Sequence, residues 1–327
     1  MSHADTAAAP SRLTLSDNVI NVSYRLLAVA IICVILSFVS DAFLTTNNLL
    51  NVLRQASLVF FMASGLTLVI LTGNIDLSIG ATVGLSACVA ATVIKSTGSP
   101  WVGAAVAVGI GALVGLANGM MVTRLRIPSF IATYGMLWVA QGATYYYMGG
   151  QSVYGFPEGF RALGSGHLFG VPIPIYLMLV LLLIGNAFLN RTVYGQQIYA
   201  IGANAVAARL SGVPVRRRLI LVFVASGAMA GLASLIYLAR LNSAEGDIGE
   251  TLTLPTIAAV VIGGTSLFGG VGSLFGTLIG GLILTLILNG MNLMSVNANW
   301  QPLVTGLIVI LAVWLDMKMR SRANAGH

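Results

Sequence analysis

A short polar segment, LTGNIDLSIG at positions 71–80, separates two apolar runs of the chain. It places an amide, a carboxylate and a hydroxyl at alternate positions, as Asn74, Asp76 and Ser78. Such groups can contact a polar solute beside a break in a helix. Alternatively, the Asp76 carboxylate can cap the helix that follows by accepting hydrogen bonds from its free N–H groups. The two roles are compatible, and the pattern alone leaves both open.

Other polar side chains lie within apolar or glycine-rich runs. The segment 261–281 has eight glycines in 21 residues, which suit close helix packing or a tight turn. Asparagines further along offer the neutral donors and acceptors that a sugar needs, although an outer loop would contain them in any case. The candidate lining of a solute pathway therefore comprises Asn74, Asp76, Ser78, Asn118, Thr265, Ser266, Asn289 and Asn292.

The residue types needed for catalysis or for binding a metal do not cluster in the sequence. Three histidines are scattered, with two at the termini, and the two cysteines lie inside apolar runs. Neither of the two lysines follows a Gly-x-x-x-x-Gly pattern, so no phosphate-binding loop is predicted. We therefore predict a chain that is no enzyme, has no catalytic residues and binds no metal or cofactor. Uphill transport by such a chain would take its energy from a partner.

The elements that must position these residues are membrane-spanning helices. The chain of 327 residues is 57% hydrophobic and 8% charged, against about 25% charged in soluble domains. A span needs about 20 apolar residues. Ten candidate spans follow, of which the second, third, eighth and ninth are interrupted by glycine or polar residues: 26–43, 52–72, 77–95, 101–123, 128–148, 173–190, 219–240, 254–270, 273–293 and 300–317.

The placement of positive charge predicts the orientation of these spans. With the N-terminus in the cytoplasm, twelve lysines and arginines fall on the inner side and four on the outer side. We expect cytoplasmic tails at 1–25 and 318–327, a membrane domain at 26–317 and a cytoplasmic loop at 191–218. The net charge of +7 thus indicates membrane orientation, with the lipid bilayer as a partner and no nucleic acid.

Two pairs of similar segments indicate an inverted repeat. NGMMVTRLRIPSFI from Asn118 resembles NGMNLMSVNANWQPLV from Asn289, and LSIGATVGLS from Leu77 resembles LPTIAAVVIGG from Leu254. In the predicted topology, the members of each pair have opposite orientation. Two inverted halves of five helices each would produce this order, which is typical of transporters.

The cytoplasmic loop contains a predicted short helix. Asn204 is a good N-cap, residues 205–210 are good helix formers, Gly212 can end the helix and Pro214 prevents its continuation. A helix of two turns is marginal alone in water, so we expect it to pack against a partner. The alternative is an ordinary basic loop whose three consecutive arginines hold the orientation.

The same loop, NRTVYGQQIYAIGANAVAARLSGVPV, resembles the coupling loop of ABC importer permeases of the ribose/xylose/galactose class. Further similar segments include LTGNIDLSIGATVGLS, LRIPSFIATYG, ARLNSA and IAAVVIGGTSLFGGVGS, in family order from about residue 47 to 316. The chain is thus identified as similar to this family, with an all-α, type II-like importer fold. The resemblance assigns contact with an ATPase to Gly202, Asn204, Ala207, Ala208, Ser211 and Gly212. We add Arg209 as a candidate for the same contact.

The resemblance also implies partners and a function. A second permease subunit, expected to be an identical copy, would complete the membrane pathway. A cytoplasmic ATP-binding subunit would hold ATP and Mg²⁺, and a periplasmic binding protein would deliver a monosaccharide, with ribose expected first and xylose or galactose next. The expected location is the bacterial inner membrane. An ion-coupled carrier or channel for a small polar solute is the alternative. The family often has acidic residues after the loop asparagine, where this chain has Ala205 and Val206.

Overall fold

The computed structural model describes the backbone of residues 15–325 and the side chains of residues 23–314, 317 and 318. The predicted tails, 1–25 and 318–327, lie partly outside these residues. Thirteen helices are described. They are α1 (Leu15–Val39), α2 (Thr46–Leu71), α3 (Ile79–Thr97), α4 (Pro100–Thr123), α5 (Ser129–Met148), α6 (Glu158–Ser165), α7 (Ile173–Arg191), α8 (Val193–Ala203), α9 (Ala205–Leu210), α10 (Val215–Leu241), α11 (Thr253–Ile262), α12 (Leu274–Leu293) and α13 (Trp300–Ala325).

Four two-residue strands complete the described elements, namely β1 (Val153–Tyr154), β2 (His167–Leu168), β3 (Val171–Pro172) and β4 (Ser243–Ala244). Strand β1 pairs with β4, and β2 pairs with β3, both antiparallel. The first pair ties the loop after α5 to the loop after α10, on the side of the molecule that the charge pattern predicts to be outer. All other regular secondary structure in the described residues is helical, as in an all-α polytopic membrane protein.

The helices follow the predicted spans closely, with one exception. Nine of the ten predicted segments coincide with helices of 19 to 27 residues. Within the described part of the chain, six helices are long and apolar enough to cross a membrane. The eighth segment, predicted at 254–270, corresponds only to α11, a helix of 10 residues and about 15 Å that begins one residue earlier. Its second half is the glycine-rich turn, where left-handed backbone ends the helix.

Helix starts are set by local side-chain chemistry. The Thr45 hydroxyl accepts from the N–H of Asn48 at the start of α2. Ser273 does the same for Gly276 at the start of α12, at 3.0 Å. These hydroxyls pair backbone donors that a helix leaves unpaired in its first turn, which matters more in a bilayer because no water can replace them.

Equivalent helices of the two halves make equivalent contacts. Helix α2 packs against α12 as α10 packs against α4, and α3 packs against α4 as α11 packs against α12. The contact of α3 with α5 likewise has its counterpart in α11 with α13. The two halves meet through α4 with α10, α2 with α12, and α2 with α10. This pattern agrees with the two inverted halves predicted from the repeated segments.

The tightest helix crossing joins α4 to α10 through glycines. A Cβ at Gly111 would overlap the carbonyl oxygen of Gly227, and a Cβ at Gly227 would overlap that of Gly111. Gly115 sits in the same way against the backbone of Phe223. The two backbones are therefore in direct contact, as small residues permit in membrane helices.

We predict that Gly111→Leu destabilises the chain by about 3 kcal/mol, because the opposing atoms are backbone and cannot rotate away. Gly109→Leu is the matched control, since Gly109 lies on the same helix and a Cβ added there would meet nothing within 4 Å. Thermal unfolding of the purified chain in detergent measures both variants. Equal unfolding temperatures for the two would contradict the backbone contact.

Candidate functional site

The predicted loop helix is present. Asn204 is the N-cap of α9, and its Oδ1 accepts from the backbone N–H groups of Val206 and Ala207, each at 3.0 Å. The helix comprises Ala205–Leu210, and Gly212 follows it with a φ of +85°. The local structure predicted from the sequence is therefore confirmed.

One face of α9 packs on the protein and the other is exposed. Ala208 is buried against Ile201 and Val215. Val206 and Leu210, one turn apart, are 67% and 84% exposed. Of the remaining residues assigned to the coupling loop, Asn204, Ala207, Arg209, Ser211 and Gly212 lie at the surface. The short helix is thus anchored through Ala208 and exposes Val206 and Leu210 on its opposite face.

Gly202 lies at a junction of three segments. The Gly270 N–H donates to the Leu71 carbonyl at 2.9 Å, which joins the glycine-rich turn to the end of α2. A Cβ at Gly202 would overlap both groups. We call these three residues the backbone junction. Because only a glycine fits there, α8 is in direct contact with the start of the break between α2 and α3.

A second bond holds α8 to the glycine-rich turn. The Tyr199 hydroxyl donates to the Gly272 carbonyl at 2.9 Å. Burial raises the pKa of Tyr199 to about 12, so the hydroxyl keeps its proton, and its donor role, at physiological pH. Beside it, Gly269 lies against Gly73, where a Cβ would come within 2.6 Å of the Gly73 nitrogen. The loop, the turn and the break are therefore one packed unit.

The break between α2 and α3 is stabilised by α5. The Ile75 N–H donates to the Ser129 hydroxyl at 3.3 Å, and the Leu77 N–H donates to the Thr133 hydroxyl at 3.1 Å. The Thr133 hydroxyl in turn donates to the Ile75 carbonyl at 3.3 Å. Non-helical backbone inside a membrane protein needs such partners, because lipid offers none.

Asp76 belongs to a buried cluster of four polar residues. Its Oδ1 accepts from the Ser78 N–H at 3.0 Å and from the Ser78 hydroxyl at 2.6 Å. Its Oδ2 accepts from the Ser226 hydroxyl of α10 at 3.3 Å, and Asn118 donates to Ser78 at 2.8 Å. Asp76 is only 2% exposed. The carboxylate therefore ties the break to α10 directly and to α4 through Ser78. The capping role considered from the sequence is wrong, because Ser78 is the N-cap of α3, no side chain caps its first turn, and Asp76 accepts from Ser78 alone on that side.

The start of α3 meets the start of α11. Gly80 donates its N–H to the Thr253 hydroxyl at 3.3 Å, and that hydroxyl lies 3.4 Å from the Leu77 carbonyl. A Cβ at Gly249 would overlap the Gly80 carbonyl oxygen. The two interrupted segments, one from each half, thus touch each other inside the protein.

The other predicted pathway residues lie apart from the Asp76 cluster. Asn289 exchanges two hydrogen bonds with Asn48, at 2.8 and 3.2 Å, at the far end of α2. Asn292 accepts from Gln301 at 2.8 Å. Thr265 and Ser266 are buried in the glycine-rich turn, and Asn74 donates to Thr72 within the break. The structure therefore brings Asp76, Ser78 and Asn118 together and distributes the rest over three places.

Several residues that hydrogen-bond to these segments were not identified from the sequence. Ser129 and Thr133 have a signal, since they form a polar pair four residues apart in the segment PSFIATYG. Asn48 lies in the polar run TTNN at the start of α2, which is a weak signal, whereas Ser226 and Tyr199 have none. In the described residues, no group of three His, Cys, Asp or Glu side chains could hold a metal ion.

Comparisons with known proteins agree with this architecture. The family described as "Branched-chain amino acid transport system / permease component" matches residues 48–313. The chain is 42% identical over 297 residues to the ribose import permease protein RbsC of Escherichia coli (strain K12), covering 90% of this chain and 92% of the relative.

Two further relatives cover the chain to a similar extent. RbsC of Bacillus subtilis (strain 168) is 39% identical over 294 residues, with coverage of 89% and 91%. The L-arabinose ABC transporter permease protein AraH of Azospirillum brasilense is 34% identical over 322 residues, with coverage of 98% and 95%. No solved structure matches the chain. The match over most of the chain shows that this protein belongs to the permease family of ABC importers whose members include sugar import permeases.

Proposed function

We propose that this chain is the membrane-spanning subunit of an ATP-driven importer for a monosaccharide, with ribose as the first substrate to test. Two relatives named as ribose import permeases support ribose, while the relative named as an L-arabinose permease supports a wider set of sugars to test. The charge pattern supports an orientation with both ends and the coupling loop in the cytoplasm.

The proposed assembly has four kinds of component. Two copies of this chain form the pathway, a cytoplasmic subunit binds ATP and Mg²⁺, and a periplasmic binding protein delivers the sugar. Family membership supports the ATPase and the binding protein, since ABC importer permeases work with both. ATP hydrolysis in this scheme occurs outside this chain, which acts as the transport subunit.

The observation that carries the proposal is the backbone junction. Helix α9 is exposed for docking and directly follows α8. Gly202 lies near the end of α8, about one turn after Tyr199. At Gly202, backbone atoms of α8 meet Leu71 and Gly270 with no flexible side chain between them. A displacement of α9 by an ATPase would therefore move the break that follows α2.

The docking contact itself is proposed to be apolar. Val206 and Leu210 stand one turn apart and are largely exposed, so they can enter a groove of the ATPase as a pair. This contact replaces the acidic residues that many members of the family have after the loop asparagine. Arg209, exposed between them, adds a donor for a carboxylate or carbonyl.

We propose that the solute path lies beside the meeting point of α3 and α11. The two interrupted segments are joined there by Thr253 and Gly249, and the Asp76 cluster holds one of them in place. Moving the break would separate these contacts and expose the polar groups of Asp76, Ser78 and Asn118 to a sugar. Asn289, Asn292, Thr265 and Ser266 would act at the two ends of the path.

Reconstitution tests the function directly. We expect accumulation of labelled ribose in proteoliposomes only when this chain, its ATPase, its binding protein and ATP are all present. Xylose, galactose and arabinose are compared in the same assay. Accumulation by this chain alone, driven by a proton or sodium gradient, would contradict the proposal.

We predict that Gly202→Ala uncouples transport from ATP hydrolysis, because the added methyl group forces α8 away from Leu71 and Gly270. The ratio of sugar moved to ATP hydrolysed should fall about tenfold or more, while the ATPase activity of the assembled complex persists. Gly142→Ala is the control, since its site on α5 is open. An unchanged ratio in Gly202→Ala would remove the junction from the coupling path.

We predict that Asp76→Leu lowers the stability of the chain by about 3 kcal/mol or more, because it leaves three buried donors without an acceptor. Asp76→Asn keeps an acceptor oxygen of the same size and should cost about 1 kcal/mol. Thermal unfolding in detergent, followed by sugar uptake of whichever variant assembles, gives the comparison. Identical unfolding of both variants would show that the hydrogen bonds contribute nothing.

A further inference from the structure

An apolar crevice of about 190 Å³ lies between α2, α7, α8 and α10. Its walls are formed by Leu68, Phe188, Ile198, Leu221, Val222 and Ala225, with Tyr194 and Arg218 also at its edge. For comparison, an apolar cavity of about 150 Å³ accepts a benzene ring. The crevice is thus large enough for a stretch of hydrocarbon chain.

The crevice opens toward the lipid side of the helices. Leu221 is 51% exposed, and Leu183 and Ile184, just before the crevice on α7, are exposed as well. Phe188 is one turn before Arg191, the last residue of α7. The apolar walls therefore lie at the end of a membrane-spanning segment, where acyl chains give way to headgroups.

A fixed cation stands at the mouth of the crevice. The Arg218 guanidinium lies 4.0 Å from the centre of the Tyr194 ring, and its Nε donates to Gln197 Oε1. A guanidinium has four further N–H donors, which suit a phosphate group. Arg218 is half-buried, whereas its neighbours Arg216 and Arg217 are exposed.

The charge around this mouth has one sign. Of the helices that form the crevice, α7 ends at Arg191 and α10 has Arg216, Arg217 and Arg218 in its first turn. No acidic residue occurs between Glu158 and Glu245. Helix α2, the remaining wall, also has none. Any anion that reaches Arg218 therefore meets no competing carboxylate from the elements that form the crevice.

We propose that this crevice binds an anionic phospholipid of the leaflet on the arginine-rich side of the membrane. The phosphate contacts Arg218 and an acyl chain fills the apolar walls. Basic pockets between membrane helices favour acidic lipids for this electrostatic reason. Since Tyr194, Gln197 and Ile198 all belong to α8, the bound lipid also packs on the helix that leads to the coupling loop. The proposal depends on the membrane location and is independent of the transported solute.

Native mass spectrometry of the full-length chain, titrated with phosphatidylglycerol or phosphatidylcholine, tests the site. Both lipids have a phosphate, but the choline cation of phosphatidylcholine cancels its charge and is repelled by the arginines, so we expect phosphatidylglycerol to bind about tenfold more tightly. Arg218→Gln should abolish this preference. Arg217→Gln, which removes the same charge from an exposed neighbour, should retain it. Equal affinities of wild type for the two lipids would overturn the proposal.

Two further measurements identify the occupant. Ala225→Phe, which fills the crevice, should reduce phosphatidylglycerol binding about tenfold even though every arginine remains. Excess inorganic phosphate should leave the lipid bound, and displacement by phosphate would show an anion site without a lipid. Dimers that form in place of lipid binding would assign the crevice to a second copy of the chain. Helix content by circular dichroism checks that each variant is folded, and Arg218→Met, which also removes the charge and keeps an apolar stem, replaces Arg218→Gln if the latter is not.

Discussion

The hydrogen bond from Gly270 to Leu71 connects parts of the chain that lie about 200 residues apart in sequence. Gly202 packs against this bond without a side chain, so at this point α8 meets the end of α2 and the glycine-rich turn through backbone atoms. Backbone contacts cannot change rotamer, and a shift on one side must move the other. The close fit of these three residues makes the exposed helix α9 part of the membrane domain.

The rest of the interior satisfies a related requirement. Each interruption of a helix leaves backbone groups without partners, and the bilayer supplies none. Ser129 and Thr133 bind the break after α2, while Thr253 joins it to the start of α11. The carboxylate of Asp76 adds contacts to α10. The break is thus held from three sides by short polar side chains, and its movement would release a defined set of bonds.

Helix α8 faces both regions that the structure singles out. Tyr199 and Gly202 contact the glycine-rich turn and α2, whereas Tyr194 and Ile198 form part of the apolar crevice at Arg218. A ligand in that crevice packs against the same helix that we propose to connect α9 to the break. The lipid environment and the coupling loop would therefore act on one element, which gives the membrane a direct physical connection to transport.

Hydropathy, internal repeats and capping signals were enough to predict the apolar helices, the inverted halves and the capped helix at Asn204, because these patterns are local or periodic. The hydropathy pattern overestimated the length of the eighth span, because glycines with left-handed backbone follow α11 and end the helix early. The pairing of Asp76 with Ser226, the position of Gly202 against Leu71 and the distribution of the candidate polar residues emerged only from the folded structure. These contacts join residues more than a hundred positions apart, and their partners in apolar helices carry no local signal.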